Sequence, residues 1–422
     1  MRVIWISTLL IFISFLYGQG EADFTLNGSG ARAAGMGYAF TAISDDATAI
    51  SWNPAGLTQL YSMEASLIGR FGFGFLSTNY SEFNPETKIG SKFQLNFASF
   101  VLPFSSGDIN MVGGLAYRRL YDFTKDWTVT IDEDVYLPDY GESVRVFYED
   151  IIDNSGGINA ISPAFSAQLN DMFSVGATLN ILMGGTDYSE SYTSRIEFMD
   201  QVLADEQDES SYSESYSGTS AELGAMVKPN DKVSIGACFK LPYTVSIEED
   251  IDSETYTTEA QIPFMFDIGL GVRPSDNVLL AFDYHHRPLS NLVIKPESGE
   301  EFKPYSKDDN PDLKDDLNGS SIHGGLEYLA QTGESVIPLR LGVFTYPTAS
   351  IDVNNEQIKY LGLSAGMGLV LDKIVLDGSF EWIIGSFIGD TEEDEFGNES
   401  DVTYTYNEFR ITIGAVLHLG ND

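Results

Sequence analysis

From about residue 62 onward, apolar and polar side chains alternate with a period of two, the repeat of a β-strand with two unlike faces. Phe173, Val175, Ala177, Leu179 and Ile181 alternate with Ser174, Gly176, Thr178 and Asn180. Leu361, Leu363, Ala365, Met367, Leu369 and Leu371 alternate with Ser364, Gly366 and Gly368. Phe409, Ile411, Ile413, Ala415, Leu417 and Leu419 alternate with Arg410, Thr412 and His418. The runs are long for a soluble sandwich, which turns about every 8–12 residues. Their connections alternate in kind. Short turns fall at Ser105–Asp108, Asn170–Asp171, Lys228–Asp231, Arg273–Asp276, Gln331–Glu334 and Leu371–Lys373. Long polar loops fall near residues 79–90, 126–156, 188–217, 248–259, 291–318, 348–357 and 390–401. Short turns on one side and long loops on the other predict an all-β chain, a transmembrane antiparallel β-barrel of about fourteen strands with both ends on the short-turn side.

The segment ahead of the strands is different. Gly28 to Leu60 is rich in glycine and alanine and does not alternate. Asp45 and Asp46 precede Ala47, Ala49 and Ile50, where a carboxylate can accept the first backbone N–H bonds of a helical turn. Asn53 followed by Pro54 and Ala55 reads as a second N-cap, with proline at the first helical position. A compact segment at the mouth of a series of strands predicts a plug, or hatch, from residue 21 to residue 61. Before it, Arg2, the apolar run Val3 to Leu16 and the small residues Gly18 and Gly20 have the form of a signal peptide over residues 1–20. The strands then occupy residues 62–422.

The run ARAAGMGYAFTAISDDATAISWNPAGL resembles the N-terminal signature of the FadL/OMPP1/TodX family of outer-membrane transport proteins. The matching positions are Asp45, Asp46, Ala47, Ala49, Asn53, Pro54 and Ala55. The resemblance implies a hatch that closes a barrel from the periplasmic side, residence in the outer membrane, and passive uptake of hydrophobic or amphipathic molecules, with long-chain fatty acids as the first candidate. A PorV-like branch of outer-membrane proteins shares a similar signature. The resemblance therefore also implies an alternative, in which the barrel binds exported proteins or other partners in a secretion system.

Composition narrows the function further. The 422 residues carry a formal net charge of −40, which excludes nucleic acid as a partner. Acidic residues gather in the long loops, at Asp132–Asp134, Asp205–Glu209, Glu248–Asp250 and Glu392–Glu395. They read as a solvated outer face. Divalent-cation bridging is the sharper alternative, but no run has EF-hand spacing. The single Cys238 precludes an internal disulfide. Of the four histidines, His285 and His286 are adjacent in a strand and point to opposite faces. No catalytic or metal-binding motif is present, so the expectation is a protein without enzymatic activity, cofactor or metal.

Uptake of an amphiphile needs an apolar cavity with a few polar groups for the head. A guanidinium suits a carboxylate head. Alternation turns Arg340 and Arg410 inward, as it does Arg118 and Lys240, while Arg70 lies on the first strand near the plug. These five are the candidate ligand contacts. Lumen carboxylates such as Asp283, Glu327, Asp377 and Glu381 compete for them. Gly113-Gly114 in the third strand is the candidate site of a kink, which the family resemblance links to a lateral opening in the wall; packing space for the plug is the alternative reading. The expected partners are outer-membrane lipid and a hydrophobic small molecule, and the expected state is a monomer. One feature departs from the usual barrel pattern: the last strand ends on His418-Leu419 rather than on an aromatic residue.

Overall fold

A computed structural model describes residues 28–419, apart from 79–84, 91, 108, 138–140, 200, 252–253, 298, 334 and 394–398. The expected signal peptide and residues 21–27 of the expected plug lie outside the described residues. The strands form one closed antiparallel sheet. Its wall begins with β1 (Met63–Thr78), followed by β2 (Glu86–Gly90) and β3 (Gln94–Ser106) sharing the second position, and β4 (Ile109–Asp122) and β5 (Lys125–Leu137) sharing the third. Next come β6 (Glu142–Gln168), β7 (Phe173–Phe198) and β8 (Gln201–Asn230). Three positions are again shared, by β9 (Val233–Lys240) and β10 (Tyr243–Ile251), β11 (Glu254–Ile262) and β12 (Met265–Ser275), and β13 (Val278–His286) and β14 (Val293–Pro296). The wall is completed by β15 (Ser321–Thr332), β16 (Ser335–Ile351), β17 (Gln357–Leu371), β18 (Ile374–Glu393) and β19 (Glu399–Leu419). β19 pairs with β1 from Met63↔Leu419 to Thr78↔Tyr404, which closes a ring of about fourteen wall positions.

The period-2 pattern sorts the two faces. Leu339, Leu341 and Val343 of β16 are exposed on the outside, while Arg340 between them is buried in the lumen. On β1, Leu67, Phe71, Phe73 and Phe75 form part of the outward apolar band, and Ser66, Ile68 and Arg70 face in. In lipid every backbone group must be paired within the protein, and closing the ladders into a ring leaves the sheet no free edge.

Two kinds of outer connection differ from the expected polar loops. Residues 126–156 and 188–217 fold as long hairpins. β5 pairs with β6 from Lys125↔Asn154 to Leu137↔Glu142, and β7 pairs with β8 as far as Phe198↔Gln201. Their outward positions, such as Arg145, Glu149 and Asp153, are charged, so these hairpins stand beyond the lipid band. Thr, Tyr and Ser at alternate positions keep the strand geometry, and the ladder satisfies backbone groups that a loop would leave to water. The segment after β13 folds inward instead. Leu289, Leu292, Tyr305, Leu313 and Leu317 pack with Tyr121, Tyr243, Ile262 and Met265, roofing part of the lumen.

The lower lumen holds residues 28–60. α1 (Ala31–Gly35), α2 (Ala49–Trp52) and a 3-10 turn over Pro54–Gln59 are almost wholly buried. Small residues matter on both sides of this contact. A β-carbon on Gly342 of β16 would lie 2.1 Å from Gly37 N, and one on Gly176 of β7 would lie 2.4 Å from the carbonyl carbon of Pro54. Asn53 Oδ1 accepts from Ala55 N at 3.2 Å, the N-cap expected from the sequence, and Nδ2 donates to Thr41 O and to Ala225 O of the wall, both at 3.0 Å. Asp46 Oδ1 accepts from Thr48 N at 2.8 Å just ahead of α2. Asp45 is committed elsewhere, to Arg32 and, at 3.5 Å, to Arg273 of the wall.

Other wall side chains hold the plug backbone directly. Asp283 Oδ2 accepts from Phe40 N at 2.8 Å and from Thr41 N at 2.7 Å. His323 Nδ1 donates to Gly37 O at 2.7 Å. Ser364 Oγ accepts from Gly37 N at 3.1 Å and donates to Gly35 O at 3.2 Å. Arg32 makes two bonds to Glu327, at 2.9 and 3.0 Å.

Two predictions follow from these contacts. Replacing Asp283 with Ala strands two buried plug amides, a loss of about 1–3 kcal/mol or roughly 5- to 150-fold in local opening. Hydrogen exchange at Phe40 and Thr41 rises by that factor, while Gly30, held by Asn96 Oδ1 at 3.2 Å, changes little. The second concerns Asp150, buried in the β5–β6 hairpin between Val129 and Tyr192. Burial, then the nearby charge of Glu190, pushes its carboxyl up to about 6. The folded hairpin thus keeps a proton that the unfolded chain has already released, and it loses stability as pH rises through that value. After correction for intrinsic exchange, β6 and β7 amides are better protected near about pH 5 than near about pH 7.5, and Asp150→Asn removes the difference.

Candidate functional site

Above the plug lies a cavity of about 540 Å3. Its floor is plug: Tyr38, Ser51 and Trp52. Tyr38 holds a left-handed backbone at φ 65°, unusual for a residue with a side chain. Its hydroxyl donates to Glu381 Oε1 at 2.6 Å and accepts from Arg70 Nη2 at 2.9 Å. Its ring meets Phe344 edge-on at 5.3 Å between centroids. Floor and wall are therefore one packed unit.

Four of the five candidate basic residues line this cavity, and each has wall or plug partners. Arg70 also donates to Gly28 O at 3.0 Å and to Thr412 Oγ1 at 3.3 Å. Arg118 pairs with Glu222 at 2.9 Å and reaches Ile50 O of the plug at 3.3 Å. Lys240 pairs with Asp267 at 2.5 Å, and Arg287 holds the other oxygen of Asp267 at 2.5 Å. Arg410 binds Glu408 in a fork, at 2.8 and 3.0 Å. Arg340 does not line the cavity. It points inward as expected, but at the level of α1, where it bonds Glu327 at 2.7 Å and Asp377 at 2.5 Å. Alternation fixes which face a residue occupies and carries no information on its depth in the lumen.

The strand break also differs from expectation. Gly113 and Gly114 sit in unbroken ladders, opposite Leu102 and Val101 on one side and Phe165 and Ala164 on the other. Gly114 gives room to the plug: a β-carbon there would lie 3.0 Å from Ile50 Cδ1. The third wall position is interrupted higher up, at Phe123–Thr124, where Asp122 Oδ1 accepts from Thr124 N at 3.1 Å. Opposite, Gly156 and Gly157 hold φ values of 134° and 151°. The neighbouring wall position is interrupted between β2 and β3 at the same level. Among the described residues, no ladder pair joins these two positions between Gly90↔Asp126 and Phe97↔Arg118. The cavity reaches this interruption through Gly90, Gln94, Asp122, Phe123 and Thr124.

Several cavity residues were not singled out from the sequence. Trp127 falls in a stretch that reads as loop, and Tyr346, Tyr360 and Tyr406 were not distinguished from other aromatic residues. The inward series Tyr404, Tyr406, Glu408 and Arg410 on β19 carries the missing signal, a run of alternate polar aromatics and charges on one face. His285 and His323 pack ring to ring at 4.1 Å from neighbouring strands, a contact invisible in a reading that considers each strand alone.

No family model matches the chain, and no curated protein matches its sequence. Solved structures match its fold. A FadL homologue from Pseudomonas aeruginosa aligns over 94% of this chain and 100% of its own, with a TM-score of 0.63 and 13% identity. The toluene transporter TodX of P. putida aligns over 94% and 99%, with a TM-score of 0.57 and 10% identity. The toluene transporter TbuX of Ralstonia pickettii aligns over 94% and 100%, with a TM-score of 0.54 and 11% identity. At such identities the likeness is one of fold, and with the ring, the lipid band and the buried N-terminal segment it makes this chain an outer-membrane β-barrel.

Proposed function

We propose that this barrel is a passive route for hydrophobic or amphipathic molecules across the outer membrane, with amphiphilic carboxylates as ligands and long-chain fatty acids as their simplest members. The observation that carries this reading is the cavity itself: a largely aromatic space directly above a seated plug. Its charge supports an anionic head group. Six arginine or lysine side chains line it against four carboxylates, in a protein whose net charge is −40. The structural neighbours named as toluene transporters support hydrophobic cargo in general. A ligand enters among the outer hairpins and loses its water in the cavity. It leaves either sideways, through the interruption beside Phe123–Thr124, or downward when the plug shifts. The reading includes a cleaved signal peptide over residues 1–20, a plug over 21–61, a barrel over 62–422, a monomeric state and no catalysis, cofactor or energy source.

Native mass spectrometry of protein purified in a detergent unlike any fatty acid tests the proposal, followed by analysis of the released lipid. The expected result is a bound amphiphile whose occupancy falls about tenfold in Arg70→Ala or Arg410→Ala, as expected for loss of one charge-assisted contact. An empty barrel that co-purifies with folded exported proteins would reject uptake and favour the secretion role.

A further inference from the structure

One wall of the cavity alternates cations with flat rings. The Arg410 guanidinium lies 5.2 Å from the centroid of Tyr346. Tyr346 and Tyr360 are nearly parallel, 10° apart with centroids 6.5 Å from each other. Tyr360 and Tyr406 stack at 4.5 Å and 5°. The Lys125 ammonium then sits 5.5 Å from Tyr406 and 4.4 Å from Trp127. These residues come from β5, β16, β17 and β19, so the series is assembled by the closed ring and not by any local run of sequence.

Ligand cavities are lined by aliphatic and aromatic side chains with a few placed polar groups, and the balance between them bears on the guest. Here ten Phe, Tyr or Trp side chains line the space, the lipid-facing Phe73 aside, against six Leu, Ile or Val. Parallel rings reward a planar guest, because aromatic pairs gain stacking beyond their buried area. Cations at both ends of the series reward a guest whose ring carries a negative group. The wall already holds one carboxylate in such a setting. Glu408 receives two bonds from Arg410 and a third, at 2.7 Å, from the Tyr406 hydroxyl. Arg410 Nη1 has no hydrogen-bond partner among the described residues, while Nη2 also reaches Tyr346 Oη at 3.3 Å. A neutral hydrocarbon would cover these charges without replacing their hydration, which is unfavourable.

We propose that the cavity selects aromatic acids, a planar ring bearing a carboxylate, over alkyl acids and over neutral aromatics. The ring lies along Tyr346, Tyr360 and Tyr406, and the carboxylate accepts from the Nη1 edge of Arg410. This inference rests on the uptake reading and names the ligand class within it.

The test is calorimetric titration of the full chain in lipid nanodiscs with three probes of similar size: 4-propylbenzoate, decanoate and propylbenzene. The expected order places 4-propylbenzoate about tenfold or more ahead of both others, the gain of one added stacking or cation–π contact. Tyr360→Leu lowers 4-propylbenzoate to the level of decanoate and leaves decanoate within about twofold, while Tyr360→Phe, which keeps the ring, retains the preference. Heat-modifiable gel mobility reports whether each variant is folded, and the three-probe comparison on the unaltered protein decides the matter without any variant. Decanoate binding as tightly as the aryl acid would overturn aromatic selection and leave uptake standing. Binding of propylbenzene alone would overturn the acid requirement. Binding of none of the three would overturn the uptake reading and this inference together.

Discussion

A backbone N–H in hydrocarbon has no partner except another strand, and the rest of this structure follows from that constraint. It forces the sheet to close, here by β1 against β19. Closure at about fourteen positions leaves an interior too wide for side chains alone to fill. Something else must fill it, and residues 28–60 do so with a backbone made thin by glycine and alanine. Close approaches such as Gly37 against Gly342 and Pro54 against Gly176 are places where any side chain on the wall would collide with plug backbone.

A plug with few side chains exposes its own peptide groups, and those must also be paired. The wall supplies the partners: Asp283 for Phe40 and Thr41, Ser364 for Gly35 and Gly37, His323 for Gly37, and Asn96 for Gly28 and Gly30. Buried ion pairs complete the lower lumen around Arg32, Glu327, Arg340 and Asp377. Such pairs add little net stability, because desolvation offsets their attraction, but they tolerate only one arrangement of plug and wall. The same polar interior continues upward into the cavity, where charges sit among aromatic rings instead of plug backbone.

Much of this was legible in the sequence because a lipid-facing barrel writes its two faces in strict alternation. The six short turns, the number of wall positions and the inward direction of Arg118, Lys240 and Arg410 could be read from it. So could the Asn53 cap, whose chemistry is local. Depth in the lumen was not legible, so Arg340 was grouped with the cavity although it anchors α1. Polar composition concealed the outer hairpins, since Ser, Thr, Tyr and Glu suit both a loop and a solvated strand. Two adjacent glycines at 113 and 114 suit either a bend or packing room for the plug, and the second holds for Gly114, which makes room for Ile50. The bend lies at Asp122-Phe123-Thr124, where an aspartate makes the turn and the glycines are on the opposite strand. Partner choice depended on register: Glu327 and Asp377 do pair with Arg340, but Asp283 and Glu381 serve the plug, and Glu222, Asp267 and Glu408 hold the cavity cations.

The central claim is that a seated plug closes the lumen beneath a ligand cavity. Conductance of the purified, unaltered protein in planar lipid bilayers tests it most directly. The account predicts insertion without a steady ohmic current, because the lower lumen is filled by residues 28–60. A stable, porin-like conductance from the unaltered protein would mean that the lumen is open to water and that the plug does not occupy it.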